Sequence, residues 1–162
     1  MKQIKMIVTD LDGTLLTDDK RISEPNLQAI HDAVNRKIYF VPATGRALHT
    51  LPENILELDC VNYIITSNGA AIVNIRTGET VYKNQMSSKT GADIIDFAKK
   101  LGVMIEIFID GRAYVLKKFT DDLIYYGVNP KFVKWYMDTR NVVDEYDYLL
   151  KNDVTLENIN II

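Results

Sequence analysis

Over the first 66 residues, short apolar runs alternate with segments in which apolar residues recur at helical spacing. Residues 4–9, Ile-Lys-Met-Ile-Val-Thr, form a β-favouring run that ends at an acidic, glycine-containing loop, as a buried parallel strand does. Ser23 then offers a helix N-cap, with Pro25 tolerated in the first turn, and Leu27, Ile30, Ala33 and Val34 follow at helical spacing. Residues 38–41 are a second apolar run, stopped by Pro42; a helix is predicted over about 48–56, and 61–66 is a third run. Strand, helix, strand, helix, strand predicts a parallel α/β sheet with right-handed crossovers.

The pattern changes after Thr66. Asn68-Gly69 and Thr77-Gly78 are turn signals flanking β-rich pieces at 71–73 and 80–82, read as antiparallel hairpins leaving the first sheet. Ser87 or Ser88 caps a predicted helix through Leu101, whose apolar face is Ile94, Ile95, Phe97, Ala98 and Leu101. Residues 103–109 and 113–116 flank Asp110-Gly111 in a strong hairpin signal. Weaker helical segments at 121–126 and 130–138 precede a last apolar piece, 159–162. A boundary near Lys83 divides the chain into 1–83 and 84–162, the second part an α+β module.

Composition adds exclusions. With 162 residues, 47% of them hydrophobic, the chain can bury one core or a core plus a small module. A net charge of −3 argues against a generic nucleic-acid binder. No run approaches the roughly 18 apolar residues of a membrane span, and the first residues have no signal-peptide pattern. Lone Cys60 allows no intrachain disulfide and fits a reducing compartment, as a small buried apolar residue. A soluble, cytoplasmic protein without nucleic-acid or membrane partners is the expectation. His31 and His49 lack metal-pair spacing and are placed on helix surfaces; Trp135 and Tyr136 read as core or interface aromatics.

The chemistry concentrates in Asp10-Leu11-Asp12-Gly13-Thr14, at the C-terminal end of the first strand, where open α/β sheets bind ligands. Two carboxylates two residues apart can divide labour, one attacking phosphorus and the other protonating the leaving oxygen and later activating water. A carboxylate and a phosphate repel, so such a site calls for a hard cation such as Mg²⁺. Gly13 lets the backbone approach a phosphate. The plain alternative is an Asp-rich turn. At the end of the second strand, Thr44-Gly45-Arg46 combines a hydroxyl donor with helix N-terminal amides, a reasonable anion site.

Residues 7–16, Ile-Val-Thr-Asp-Leu-Asp-Gly-Thr-Leu-Leu, resemble the first motif of the haloacid dehalogenase (HAD) superfamily, and Thr44 matches its second. The run 64–70, Ile-Ile-Thr-Ser-Asn-Gly-Ala, resembles the third strand and exit of Cof-type phosphatases, in which a cap is inserted after the second motif. The resemblance implies an α/β fold: an incomplete HAD-like Rossmannoid parallel sheet with a partial α+β cap. It implies a Mg²⁺-dependent phosphatase of small phosphorylated metabolites, with Asp10 as nucleophile and Asp12 as acid/base, both on the metal. Leu11, Gly13, Thr14, Thr44, Gly45 and Arg46 would hold phosphate, and Asn68 would line the cleft.

Two further family motifs, a phosphate-bracing Lys and an acidic Gly-Asp segment that completes the metal site, have no match here. The chain therefore reads as truncated, with weak or no turnover alone. The strand carrying Asp10 would also lose a neighbour, and an open edge invites association, so a homo-oligomer or a complementary fragment is expected. The alternative is a non-catalytic descendant, a phosphate- or metal-binding or scaffold module.

Overall fold

The computed structural model describes residues 3–151 and 154–162. They fall into two compact units, one comprising Met1–Arg46 and Leu51–Lys83, the other Ala47–Thr50 and Asn84–Ile162.

The first unit is built on a five-stranded sheet in the order β1-β2-β3-β4-β5, with β1 at Met6–Asp10, β2 at Tyr39–Ala43, β3 at Tyr63–Thr66, β4 at Ala71–Asn74 and β5 at Thr80–Lys83. The pairs β1–β2 and β2–β3 are parallel, and β3–β4 and β4–β5 antiparallel. Helix α1, Glu24–Asn35, connects β1 to β2; Ser23 caps it by accepting the Asn26 N–H, and it buries Ile30 and Ala33. Leu11, Phe40, Val41, Ile55, Val61, Ile64 and Val73 are buried with them.

Three expectations change here. Pro42 does not stop the second strand but lies inside it, opposite Thr9. The Tyr39 N–H donates to Lys5 O on the β1 side and the Thr44 N–H to Ile65 O on the β3 side. Alternation puts position 42 on the β3 side, where β2 and β3 are in register only at Ala43, so the missing N–H costs no ladder bond. The predicted helix over 48–56 is a 3₁₀ turn, Leu48–Thr50, and a short helix α2, Glu53–Leu56, in different units. Pro52 separates them, since a residue before proline is pushed out of the α region. Finally, the hairpin strands β4 and β5 do not leave the first sheet; they extend it.

Among the described residues β1 pairs only with β2. Met6, Ile7 and Val8 are exposed on it, beside a groove of about 260 Å³ lined by Ile7, Thr9, Thr14, Leu15, Ala29 and Ile30 among others.

The second unit has a four-stranded sheet, β11-β7-β8-β9, and a two-stranded pair, β6 (Met86–Ser87) with β10 (Thr155–Leu156). Ser87 caps α3, Ser88–Leu101, by accepting the Thr90 N–H, and Gly102 ends it in the left-handed conformation. Strands β7, Ile105–Ile109, and β8, Arg112–Leu116, form the hairpin expected around Asp110-Gly111, both turn residues having positive φ. All five β7 residues are buried, and Ile105, Ile107 and Ile109 share a core with Ile95 and Ala98 of α3.

Helix α4 lies at Lys117–Thr120, before the predicted position. Residues 121–127 form turns, in which Asp122 Oδ1 takes the Tyr125 N–H and so competes with helix. The segment 130–138 is a 3₁₀ turn, Pro130–Phe132, and helix α5, Val133–Thr139. Strand β9, Arg140–Val143, was not expected; it pairs parallel with β8, and β11, Asn158–Ile161, pairs antiparallel with β7.

The second unit buries a carboxylate. Glu106 of β7 is 2% exposed; Arg140 Nε donates to it at 3.0 Å and Asn160 Nδ2 at 3.1 Å. The Arg140 guanidinium also lies over the rings of Trp135 and Tyr136, at 4.8 and 4.4 Å from their centroids. The two aromatics thus serve as a platform for an arginine. Burial pushes the Tyr136 and Tyr146 phenols far above their ordinary value.

Candidate active site

Register places the site. Asp10, the last residue of β1, stands opposite Ala43, the last of β2, and Ala43 stands opposite Ile65 of β3. Three parallel strands therefore end at one level, and the loops that leave them border an open cavity of about 320 Å³ lined by Asp10, Ala43, Thr44, Gly45, Ile65, Asn68 and Gly69. Of the residues singled out in the sequence, Asp10, Thr44, Gly45 and Asn68 share this cavity.

Asp10 is exposed, and its Oδ2 accepts the Thr14 hydroxyl at 3.2 Å. The turn after it closes on Leu11, whose carbonyl accepts the N–H groups of Leu15 and Leu16 at 3.1 and 2.9 Å. The Leu11 side chain is fully buried, so only its backbone can serve a ligand. Gly13 has φ +79°, and a β-carbon there would meet nothing within 4 Å; conformation rather than space demands glycine.

Thr44 is buried, and its Oγ accepts the Arg46 N–H at 3.2 Å, which leaves the hydroxyl hydrogen to donate elsewhere. Its carbonyl accepts the Asn68 N–H at 3.1 Å, and Arg46 O accepts the Ser67 N–H at 2.9 Å. The β3 exit is thereby tied to the β2 exit. Ser67, Asn68 and Gly69 all have positive φ, a strained run of the kind that collects at functional sites. Gly45 lets the Asn68 side chain sit against the β2 exit: a β-carbon there would stand 2.8 Å from Asn68 Oδ1, so that side chain would have to move.

Arg46 faces neither solvent nor the cavity lining. Its Nε and Nη2 take Asp12 Oδ2 and Oδ1 at 2.6 and 2.8 Å, and Lys20 Nζ takes Oδ1 at 2.8 Å. The fork from Arg46, opposed by burial and aided by Lys20, holds the Asp12 carboxyl well below the usual carboxylate range, at about 2 against 3.8. Because the folded value is the lower one, the stabilisation is complete above pH 3.8 and is lost as pH falls toward 2. Asp12 is over a third exposed, so solvent screening limits the effect to about 1 kcal/mol or less. Urea unfolding between pH 2 and 5 is expected to show wild type losing this advantage over Asp12→Asn as acid is added; a constant difference would contradict it.

Lys20 escaped the sequence reading. A lone Lys in a polar loop carries no signal of its own, and only the fold brings it to Asp12. No cluster of three or more His, Cys, Asp or Glu side chains able to hold a metal occurs among the described residues. Cys60 is half-buried rather than buried, and burial raises its thiol. His31 and His49 are exposed, His31 on α1 and His49 in the 3₁₀ turn. No helix among the described residues is long and apolar enough to cross a membrane.

The family model that matches, over residues 7–160, is that of the haloacid dehalogenase-like hydrolases. A 5-amino-6-(5-phospho-D-ribitylamino)uracil phosphatase of Bacillus subtilis is 44% identical over 69 residues, 43% of this chain and 28% of that protein. An HMP-PP phosphatase of Klebsiella pneumoniae is 29% identical over 107 residues, 66% of this chain and 39% of that protein. Among solved structures, a haloacid dehalogenase-like hydrolase from B. subtilis superposes with a TM-score of 0.76 at 21% identity, covering 94% of this chain and 59% of that one. The chain thus spans less than two thirds of the length of each of these proteins.

Proposed function

Because the chain belongs to the haloacid dehalogenase-like hydrolase family, we propose that it carries the nucleophile half of a Mg²⁺-dependent phosphatase acting on small phosphorylated metabolites. The observation that carries this reading is the convergence of Asp10, Thr44, Gly45 and Asn68 on one cavity at the C-terminal ends of parallel strands. Ligands bind at such strand ends, and the two related phosphatases act on phosphorylated compounds, as their names state.

Asp10 Oδ attacks phosphorus and forms an aspartyl phosphate, while the leaving oxygen takes a proton from Asp12, which carries one only once it is released from Arg46 and Lys20. Asp12 then removes a proton from the water that hydrolyses the acyl phosphate. The Thr44 hydroxyl donates to a phosphoryl oxygen, and backbone N–H groups of 11–13 and of Gly45 add further donors. Asn68 lines the substrate side. The donor set suits a hard cation through Asp10 carboxylate oxygen and the Asp12 main-chain carbonyl, since Mg²⁺ takes one or two carboxylates with phosphate and water. When bound it supplies charge neutralisation between carboxylate and phosphate. The Asp12 side chain does not fit as a ligand while Arg46 and Lys20 hold it.

Residues 84–162 fit a partial cap, and 1–83 the core. Residues 1–162 lack a family-type bracing Lys and second acidic motif, so we expect weak or no turnover from this chain alone. The open edge of β1, with Met6, Ile7 and Val8 exposed, supports a partner strand there, from a second copy or a complementary fragment. Incubation with Mg²⁺ and a generic aryl phosphate tests the reading: slow release that Asp10→Asn eliminates is expected, and turnover at ordinary enzyme rates would refute the weakness. A second reading, a phosphate- or metal-binding module without turnover, draws on the engagement of Asp12 by two cations. Beryllofluoride with Mg²⁺ separates the two, since only a working nucleophile site forms the acyl-phosphate mimic.

A further inference from the structure

The Asp12 carboxylate is fully engaged. Both of its oxygens are taken by Arg46, and Oδ1 also by Lys20. A guanidinium fork beside an ammonium is the arrangement that recognises a phosphate or carboxylate from outside.

Both cations are held in place by backbone that does not depend on Asp12. Lys20 has φ 59°, a conformation that persists only where its surroundings over-determine it. Here the Lys20 N–H donates to Thr17 O at 2.9 Å and the Thr17 N–H to Arg21 O at 2.8 Å. Asn54 Nδ2 donates to Lys20 O at 3.2 Å, and Leu16 bridges to Ile22 at the base of the loop. Arg46 is fixed through Thr44 Oγ and the Ser67 N–H, and its side chain is 12% exposed. The two cations therefore form a preorganised seat, with a carboxylate of the protein as its occupant.

We propose that Lys20 and Arg46 form an oxyanion seat on the leaving-group side of the site, filled at rest by Asp12, and that a second anionic group of the substrate displaces Asp12 into its proton-transfer role. The proposal rests on Asp12 being the acid/base. It assigns Lys20 as a positioning residue and favours phosphomonoesters whose leaving group carries a further phosphate or carboxylate, because those bring an anion to the seat.

Asp12→Asn removes the negative charge that fills the seat and leaves a weaker, neutral occupant, and this gives a test that needs neither turnover nor metal. Inorganic phosphate and, separately, acetate are titrated calorimetrically, without divalent cations, into wild type, Asp12→Asn, Lys20→Met and the double variant. At least one anion is expected to bind about tenfold tighter to Asp12→Asn than to wild type, the scale of a charge-assisted bond. Lys20→Met is expected to cost less than about threefold in wild type, where Asp12 already neutralises Lys20, and about tenfold in the Asp12→Asn background. Lys20→Arg should retain the gain in that background, and Lys20→Gln replaces Lys20→Met if circular dichroism shows the latter unfolded. The larger gain identifies phosphate or carboxylate as the preferred occupant. No gain in Asp12→Asn, or an equal cost of Lys20→Met in both backgrounds as a diffuse field would give, overturns the seat. Loss of the aspartyl phosphate would remove the phosphatase reading but not this coupling, so the two can fail separately.

Discussion

Asp10→Asn is expected to abolish transfer of a phosphoryl group to this chain. The amide is isosteric and can still take the Thr14 hydroxyl, which now reaches Asp10 Oδ2 at 3.2 Å, so the loop should keep its shape. What it loses is the nucleophilic lone pair and the charge that draws a cation, and no neighbour supplies either. Asp12 is the next carboxylate, but its oxygens face Arg46 and Lys20. Asp12→Asn removes a proton carrier instead, so slower turnover by about 10²–10⁴-fold is expected. Phosphate release from an aryl phosphate, followed colorimetrically for both variants, checks the contrast. Equal residual rates in the two would show that the roles are misassigned.

The largest expected change in stability lies in the second unit. Arg140→Met should destabilise the second unit by about 3–5 kcal/mol, since it leaves the Glu106 carboxyl buried without its cation. Asn160 Nδ2 would still donate to that carboxyl, but a neutral amide does not balance its charge. The double replacement Glu106→Leu with Arg140→Met should recover most of the loss, because an apolar pair of similar volume is often as stable as a buried ion pair. Urea midpoints at constant slope measure both. A single-variant cost near that of a surface ion pair, under about 1 kcal/mol, would mean that water reaches Glu106.

Local signals were legible where one residue type decides the geometry. Ser23 and Ser87 cap the helices they precede, and Asp110-Gly111 turns its hairpin, because each acts through its own side chain or its own φ. Signals that depend on a neighbouring strand were not. Pro42 breaks a ladder only where a partner needs its N–H, and the sequence carries no register. The turns at Asn68-Gly69 and Thr77-Gly78 were legible, but not that β4 folds back onto β3 and keeps the sheet going. Glu106 in an apolar run and Arg140 after a helix look like solvent-facing charges until β7, β8 and β9 align them.

The candidate site divides the same way. Asp10, Thr44 and Gly45 belong to strand ends, and a strand end is visible as the place where an apolar run stops. Asn68 could be seen as a turn former and, through the resemblance, as a cleft residue, but not that its side chain would stand 2.8 Å from a β-carbon at position 45. Arg46 could be placed beside Thr44 but not aimed, and its carboxylate partner comes from a loop 34 residues earlier. Lys20 was invisible because what defines it is a left-handed backbone and a clasped loop.

The proposed phosphatase chemistry stands or falls on Asp10 accepting a phosphoryl group. Incubation of the chain with Mg²⁺ and acetyl phosphate, reduction with borohydride and peptide mass mapping test it directly, because borohydride converts an aspartyl phosphate to homoserine at the residue that carried it. Homoserine at position 10, absent from the Asp10→Asn variant, is the predicted result. Homoserine at another carboxylate, or none while phosphate is still released, would contradict the account.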